Sequence, residues 1–235
     1  MSALLPDASV ALKAGLSGLV AGSTFALVAA SMRTRGTRVA YTRKVFHFGI
    51  FTGAAAVHTL WGLPGTNAYG AVVAVLVLSA VLLGDGNPFY EALARETDRP
   101  RRSVFIVIPL LMTAIGGLTS ALLVGPYASV GYLVAGWGDA VGEPVGSRWG
   151  RHPYRVPSLV GVPAERTLEG SAAVLLVGWV AASAALWSQG AGPGAPLVAL
   201  ACAVVGAAVE AASNHGLDNL TVQVAASLTA AWLMG

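Results

Sequence analysis

Charge in this chain comes in bursts, separated by long stretches that carry none. Residues 45–84, 103–138 and 170–209 contain no Lys, Arg, Asp or Glu. Such stretches have no means of coating a water-facing surface. Soluble domains are about 25% charged, whereas this chain is 11% charged and 55% hydrophobic, with a mean hydropathy of +0.69. The same balance excludes disorder, which goes with low hydrophobicity and high net charge. The class that remains is an all-α, polytopic integral membrane protein.

A membrane-crossing helix needs about 20 mostly apolar residues. Cutting the apolar runs at charges and at Pro- and Gly-rich breaks predicts about eight transmembrane helices, near 9–30, 45–62, 68–84, 103–124, 127–143, 168–187, 196–212 and 217–234. Residues 1–235 thus read as a single transmembrane domain. Asp7 and Lys13 stand where a secretory leader would be purely basic, so the first span is not expected to be a cleaved signal. Cys202, inside an apolar run, reads as a packing residue.

The connections sort into two kinds. Those at 62–67, 125–126 and 188–196 are uncharged, while those near 31–44, 85–102, 144–167 and 210–217 hold 13 of the 14 Lys and Arg, and ten of the 11 acids lie at 85–98, 139–169 and 210–218. The basic excess in short loops predicts that the charged face is cytoplasmic, in the cell (inner) membrane, with both termini outside. A net charge of +3 fits loops facing an anionic leaflet and argues against nucleic acid as a partner. A transporter would be expected to hold ionisable groups near the midplane, on broken helices in related halves. Here they gather at one face, which points to an enzyme acting on a lipid.

Four charged segments are candidates for its site. Arg43, Lys44 and His47 share one helix face at the start of the second span. They read either as a basic anchor or as a phosphate clamp with a histidine beside the chemistry. In the second segment Gly138, Gly142, Gly146 and Gly150 recur every four residues, a close-packing ridge for membrane helices. Packing does not explain Asp139 and Glu143, two like charges at i and i+4 that need something positive between them. Mg²⁺ shared with phosphate oxygens is the natural candidate, with the glycines letting phosphates approach. No dinucleotide or Walker fingerprint is present, so a nucleotide would be held in another way.

The third segment, 148–171, carries Arg148, Arg151, Arg155 and Arg166, guanidinium groups suited to phosphate, and ends in Glu169 at the mouth of a span. The fourth runs from Glu210 through His215 and Asp218 to Thr221 and is acidic without local counter-charge, a composition that favours metal. Asp218 also reads as a helix cap. The sequon at Asn219 falls on the expected inner face and is discounted.

In order, Arg43-Lys44-x-x-His47, Gly138-Asp139-Ala140 with its glycine series, Arg166-Thr167-x-Glu169-Gly170-Ser171, and Glu210 followed by Asp218-Asn219-Leu220-Thr221-Val222 resemble the motifs of the CTP-dependent polyprenol kinase family, which includes phytol, farnesol and dolichol kinases and the CTP-dependent diacylglycerol kinase. The resemblance spans about 43–222. Its middle motifs are also similar to those of phosphatidate cytidylyltransferases, while the first and fourth favour the kinases. Arg166 replaces the lysine common before Thr-x-Glu-Gly.

The resemblance implies transfer of the γ-phosphoryl group of CTP to an isoprenoid alcohol at the cytoplasmic surface. Asp139, His47 and Lys44 would be catalytic. Arg43, Lys44, Gly138, Gly142, Gly146, Arg148, Arg166 and Glu169 would meet the nucleotide and its phosphates, and Asp139, Glu143, Glu210 and Asp218 would hold Mg²⁺. A cytidylyltransferase, a diacylglycerol kinase and a transporter are the alternatives.

Overall fold

A computed structural model describes residues 4–159, 162–214 and 216–235. As expected, the chain is all-α, apart from one hairpin that the sequence did not announce. Asp7 accepts from Val10 N at 2.9 Å and starts α1 (Ala8–Thr34). A tight turn leads into α2 (Val39–Leu83), which breaks at Gly62, where φ is 61° and Pro64 follows. This positive φ is cheap only for glycine. A short α3 (Pro88–Leu93), capped by Asn87, precedes α4 (Val104–Val124). A single turn at 125–127 then leads into α5 (Ala128–Trp149).

Strands β1 (Pro153–Leu159) and β2 (Val162–Thr167) pair antiparallel, with Tyr154 opposite Arg166 and Arg155 opposite Glu165. They lie in the segment that reads as a loop from sequence. Three helices close the chain: α6 (Leu168–Ser188), α7 (Ala195–Ala212) and α8 (Asp218–Met234).

Among the described residues, five helical stretches are long and apolar enough to cross a membrane: Ala8–Thr34, Val39–Leu83, Val104–Trp149, Leu168–Ser188 and Ala195–Ala212. Length and composition therefore do not establish the eight crossings expected. Two of the five are interrupted, at Gly62 and at 125–127, and α8 has only 17 residues.

The centre of the bundle is α5, which packs on α2, α6 and α8. It is the helix with the most backbone exposed to close approach, because glycines face each neighbour. A Cβ on Gly131 would collide with the Gln223 carbonyl of α8, and one on Gly136 with the Phe51 side chain of α2. A Cβ on Gly142 would stand 2.5 Å from Val174 Cγ2 of α6. Large apolar side chains on the outer helices, such as Leu16 and Leu27 of α1 and Leu82 of α2, point outward as a lipid-facing surface requires. At one end of the bundle His58 joins the two helix breaks, meeting Thr66 Oγ1 and the Gly125 carbonyl, each at 3.0 Å. The buried charges are at the other end.

Candidate functional site

The close crossing at Gly136 sets the first half of the site. Trp137 Nε1 donates to Thr52 Oγ1 at 2.8 Å along the same seam. One turn towards the charged end, Lys44 and His47 of α2 face Asp139 and Glu143 of α5. Lys44 Nζ lies 2.6 Å from Asp139 Oδ1 and 2.9 Å from Glu143 Oε2, with a side chain only 5% exposed. His47 stacks on Phe51 with ring centroids 4.4 Å apart, and its Nε2 is 3.4 Å from Asp139 Oδ2. Each oxygen of Asp139 thus faces a different nitrogen. The positive charge that the Asp139–Glu143 spacing demands is supplied by the chain itself.

Arg95, which the sequence reading passed over, completes this cluster, with Nη2 2.6 Å from Glu143 Oε1. Nothing in the sequence set it apart from its neighbours Arg99, Arg101 and Arg102. Its segment is held by Arg102, a buried guanidinium bonded to Asp85 at 2.7 Å and Glu91 at 2.6 Å. Those bonds hold the Glu91 carboxyl below its ordinary value, since they favour its charged form. Arg43 lies half-buried beside the cluster and forms no ion pair among the described residues.

The hairpin builds the second half. Thr167 caps α6 by accepting from Gly170 N at 3.1 Å, which turns Arg166 across the ends of α7 and α8. There Arg166 pairs with Glu210 and, at 2.9 Å, with Asp218, and donates to the Ser213 carbonyl at 3.2 Å. Asp218 Oδ1 also accepts from the Gly216 and Asn219 amides. The pair read from sequence as metal ligands is therefore the counter-charge of Arg166 in this structure. His215, in the same turn, lies outside the described residues.

Between the two halves is a polar cavity of about 240 Å³, bordered by Arg95, Asp139, Glu143, Glu165, Arg166 and Glu210, with Thr167 and Ser171 also on its wall. Gly142 and Gly146 also border it, and both pack against α6. Their amides lie inside α5, where the helix ladder uses them, and the space beside them is filled by Val174 and Thr167, so they serve the close approach of α6 and offer a phosphate no donors. Gly138 packs on Val174. Behind the His47–Asp139 contact is a second space of about 90 Å³, lined by His47, Arg43 and apolar side chains including Phe46, Phe51 and Val77. Asp139 thus borders the polar cavity and meets the apolar one through His47.

Five expected residues line neither cavity: Lys44, Gly138 and Asp218, which are packed behind the walls, and Arg148 and Glu169, which stand apart. Arg148 is exposed and lies over the Trp149 ring at 5.1 Å. Glu169 turns to His152, with Oε1 2.7 Å from Nδ1. Among the described residues no group of three or more His, Cys, Asp or Glu could hold a metal. Each oxygen of the Asp139–Glu143 pair already faces a Lys44, His47 or Arg95 nitrogen, so a divalent ion that brings phosphate oxygens with it, as Mg²⁺ usually does beside one or two carboxylates, would have to displace Lys44 from the pair. The pair does not fit an ion caged by protein alone.

No protein-family model matches the chain, and neither does a solved structure. The chain is similar to a curated protein described as phytol kinase, from Synechocystis sp. (strain ATCC 27184 / PCC 6803 / Kazusa). The two are 27% identical over 190 residues, which cover 80% of this chain and 77% of that protein.

Proposed function

We propose that this chain is a membrane kinase that transfers the γ-phosphoryl group of CTP to the hydroxyl of a long-chain isoprenoid alcohol at the cytoplasmic surface. The observation that carries the reading is the position of Asp139 on a polar cavity lined by Arg95, Arg166 and four carboxylates, in contact with His47 on the wall of an apolar space. Phosphoryl transfer asks mainly for positioning and charge neutralisation, and a water-soluble donor and a lipid acceptor must meet at such a wall. The similarity to a phytol kinase supports an isoprenoid acceptor, and the motif resemblance supports CTP.

In this reading the phosphates lie against Arg95 and Arg166 in the polar cavity, with Lys44 behind them between Asp139 and Glu143, while the alcohol enters from the apolar side with its hydroxyl beside His47 and Arg43. The alcohol oxygen bonds to the γ-phosphorus as the bond to the bridging oxygen breaks, the hydroxyl proton passes to His47, and CDP leaves. Asp139 orients the imidazole and stabilises its charged form, the usual service of a carboxylate to a general base. Mg²⁺, held by Asp139 and Glu143 once Lys44 is displaced, would neutralise charge developing on the phosphates.

Purified protein incubated with phytol, farnesol, geranylgeraniol, diacylglycerol or phosphatidate and γ-labelled CTP tests this. Label in a prenyl phosphate with release of CDP is expected, and Asp139→Asn should abolish it in a protein that still folds. Pyrophosphate release with phosphatidate would replace the proposal with a cytidylyltransferase, and label in diacylglycerol alone would change the acceptor. No lipid product with any of them, together with solute flux in liposomes, would favour a transporter.

A further inference from the structure

The apolar space behind His47 is the near end of something larger. Ile50, Phe51, Val73, Leu110 and Thr113 border both it and a cavity of about 390 Å³ between the second arm of α2 and α4. Along α2 the larger cavity runs from Leu63, beside the Gly62 break, to Leu78, about 22 Å of helix. Small residues open it: Gly70, Ala71 and Ala74 on α2 face Ala114 and Gly117 on α4. A Cβ on Gly70 would meet nothing within 4 Å. Larger residues here would let the two helices close on each other, so the gap is a property of sequence.

Its chemistry is hydrocarbon. The polar side chains on the wall are turned to protein: Tyr69 OH donates to the Ile50 carbonyl at 3.1 Å, Tyr132 OH to the Gly117 carbonyl at 2.9 Å, Thr66 to the Gly62 carbonyl at 2.9 Å, Asn67 to the Leu4 carbonyl at 2.9 Å and Gln223 Nε2 to the Asn219 carbonyl, while Thr113 Oγ1 accepts from Asn219 Nδ2 at 3.0 Å. Those donors are not free for a polar solute. On the outer side Leu78, Leu111 and Leu118 are exposed, so the space opens towards the bilayer. An apolar gap open to lipid fills with alkyl chain, since burial of apolar surface gains about 25 cal/mol per Å² and an empty void forfeits its contacts.

We infer that this cavity holds the tail of the acceptor alcohol, which enters sideways between α2 and α4 and lies with its hydroxyl end at His47 and its far end at Gly62. The inference rests on the kinase reading for the identity of the acceptor, and it assigns the residues that sense the tail. Gly70 and Ala114, on opposite walls, are specificity-determining: bulk at either removes the room for the distal part of a long chain and spares a short one.

Gly70→Phe and Ala114→Phe are each assayed with geraniol, farnesol and geranylgeraniol, after melting in detergent shows which variants fold. The ratio of kcat/KM for geranylgeraniol to that for geraniol is expected to fall at least tenfold. In parallel, a diazirine-bearing geranylgeraniol is expected to label 66–78 and 107–118 in the wild-type chain. A wild-type protein that phosphorylates prenols, with unchanged ratios in the folded variants, overturns the cavity assignment, as does labelling elsewhere. Labelling in the cavity without any phosphorylated product leaves the tail site standing and removes the kinase reading. Should neither phenylalanine variant fold, Ala74→Leu from the middle of the wall gives the same readout, and the labelled positions decide alone if it too fails.

Discussion

Lys44 is the residue whose removal the site tolerates least. It is a buried ammonium between two carboxylates, and breaking such an arrangement by deleting one partner costs on the order of 3–5 kcal/mol because the remaining charges are stranded. Lys44→Met should therefore lower the melting temperature in detergent and abolish turnover together. Adding Asp139→Asn should restore part of the stability and none of the activity, and a double variant that recovers turnover would remove both residues from the chemistry. Arg95 is held by a single carboxylate at the cavity edge. Arg95→Ala should leave the protein folded and raise KM for the nucleotide tenfold or more, and an unchanged KM would refute its phosphate role. Glu91 offers a test of pH dependence outside the membrane. Its carboxyl is held below the ordinary 4.5 by the Arg102 hydrogen bonds, so its contribution is present above about 4.5 and is lost as pH falls through the folded-state value. Glu91→Gln should melt lower than wild type at neutral pH, and the gap should narrow as pH falls below about 4.5; a gap that does not narrow would assign the effect to packing.

At the scale of elements, α5 explains why the site exists at all. Its glycines are spaced for contact, and Gly136 brings α2 near enough for Lys44 to reach Asp139. Gly136→Ala should separate the two helices, lower the melting temperature and reduce activity even though residue 136 touches no charged group of the site. On the α6 side, Gly142→Ala drives a methyl into Val174 and should cost about 1–3 kcal/mol, as overpacking does; Val174→Ala in the same chain should return most of it. The helical segments were legible because lipid leaves a plain signature, apolar runs ended by charge, Gly or Pro. The hairpin was not, because Pro153, Pro157 and Pro163 interrupt its alternation and proline ordinarily argues against a strand. Asp139 and Glu143 were legible as a pair in need of a cation. That the cations are Lys44 and Arg95 was not, since those pairings join residues far apart in sequence and exist only once α2, α5 and the segment after α3 have packed.

For the whole molecule, the division of the bundle into a charged and an uncharged end predicts its orientation. The breaks at Gly62 and 125–127 share the uncharged end, tied by His58. Reporters fused after Trp61 or Gln189 should read external and one after Arg99 internal, with the opposite pattern overturning the topology. The lateral opening between α2 and α4 has a kinetic corollary. A substrate that slides in from hydrocarbon is never dissolved in bulk water, so its effective concentration is its mole fraction among neighbouring lipids. Diluting the acceptor with inert phospholipid at a fixed total amount should slow the reaction in proportion, whereas adding buffer to the same vesicles should leave the rate per vesicle untouched.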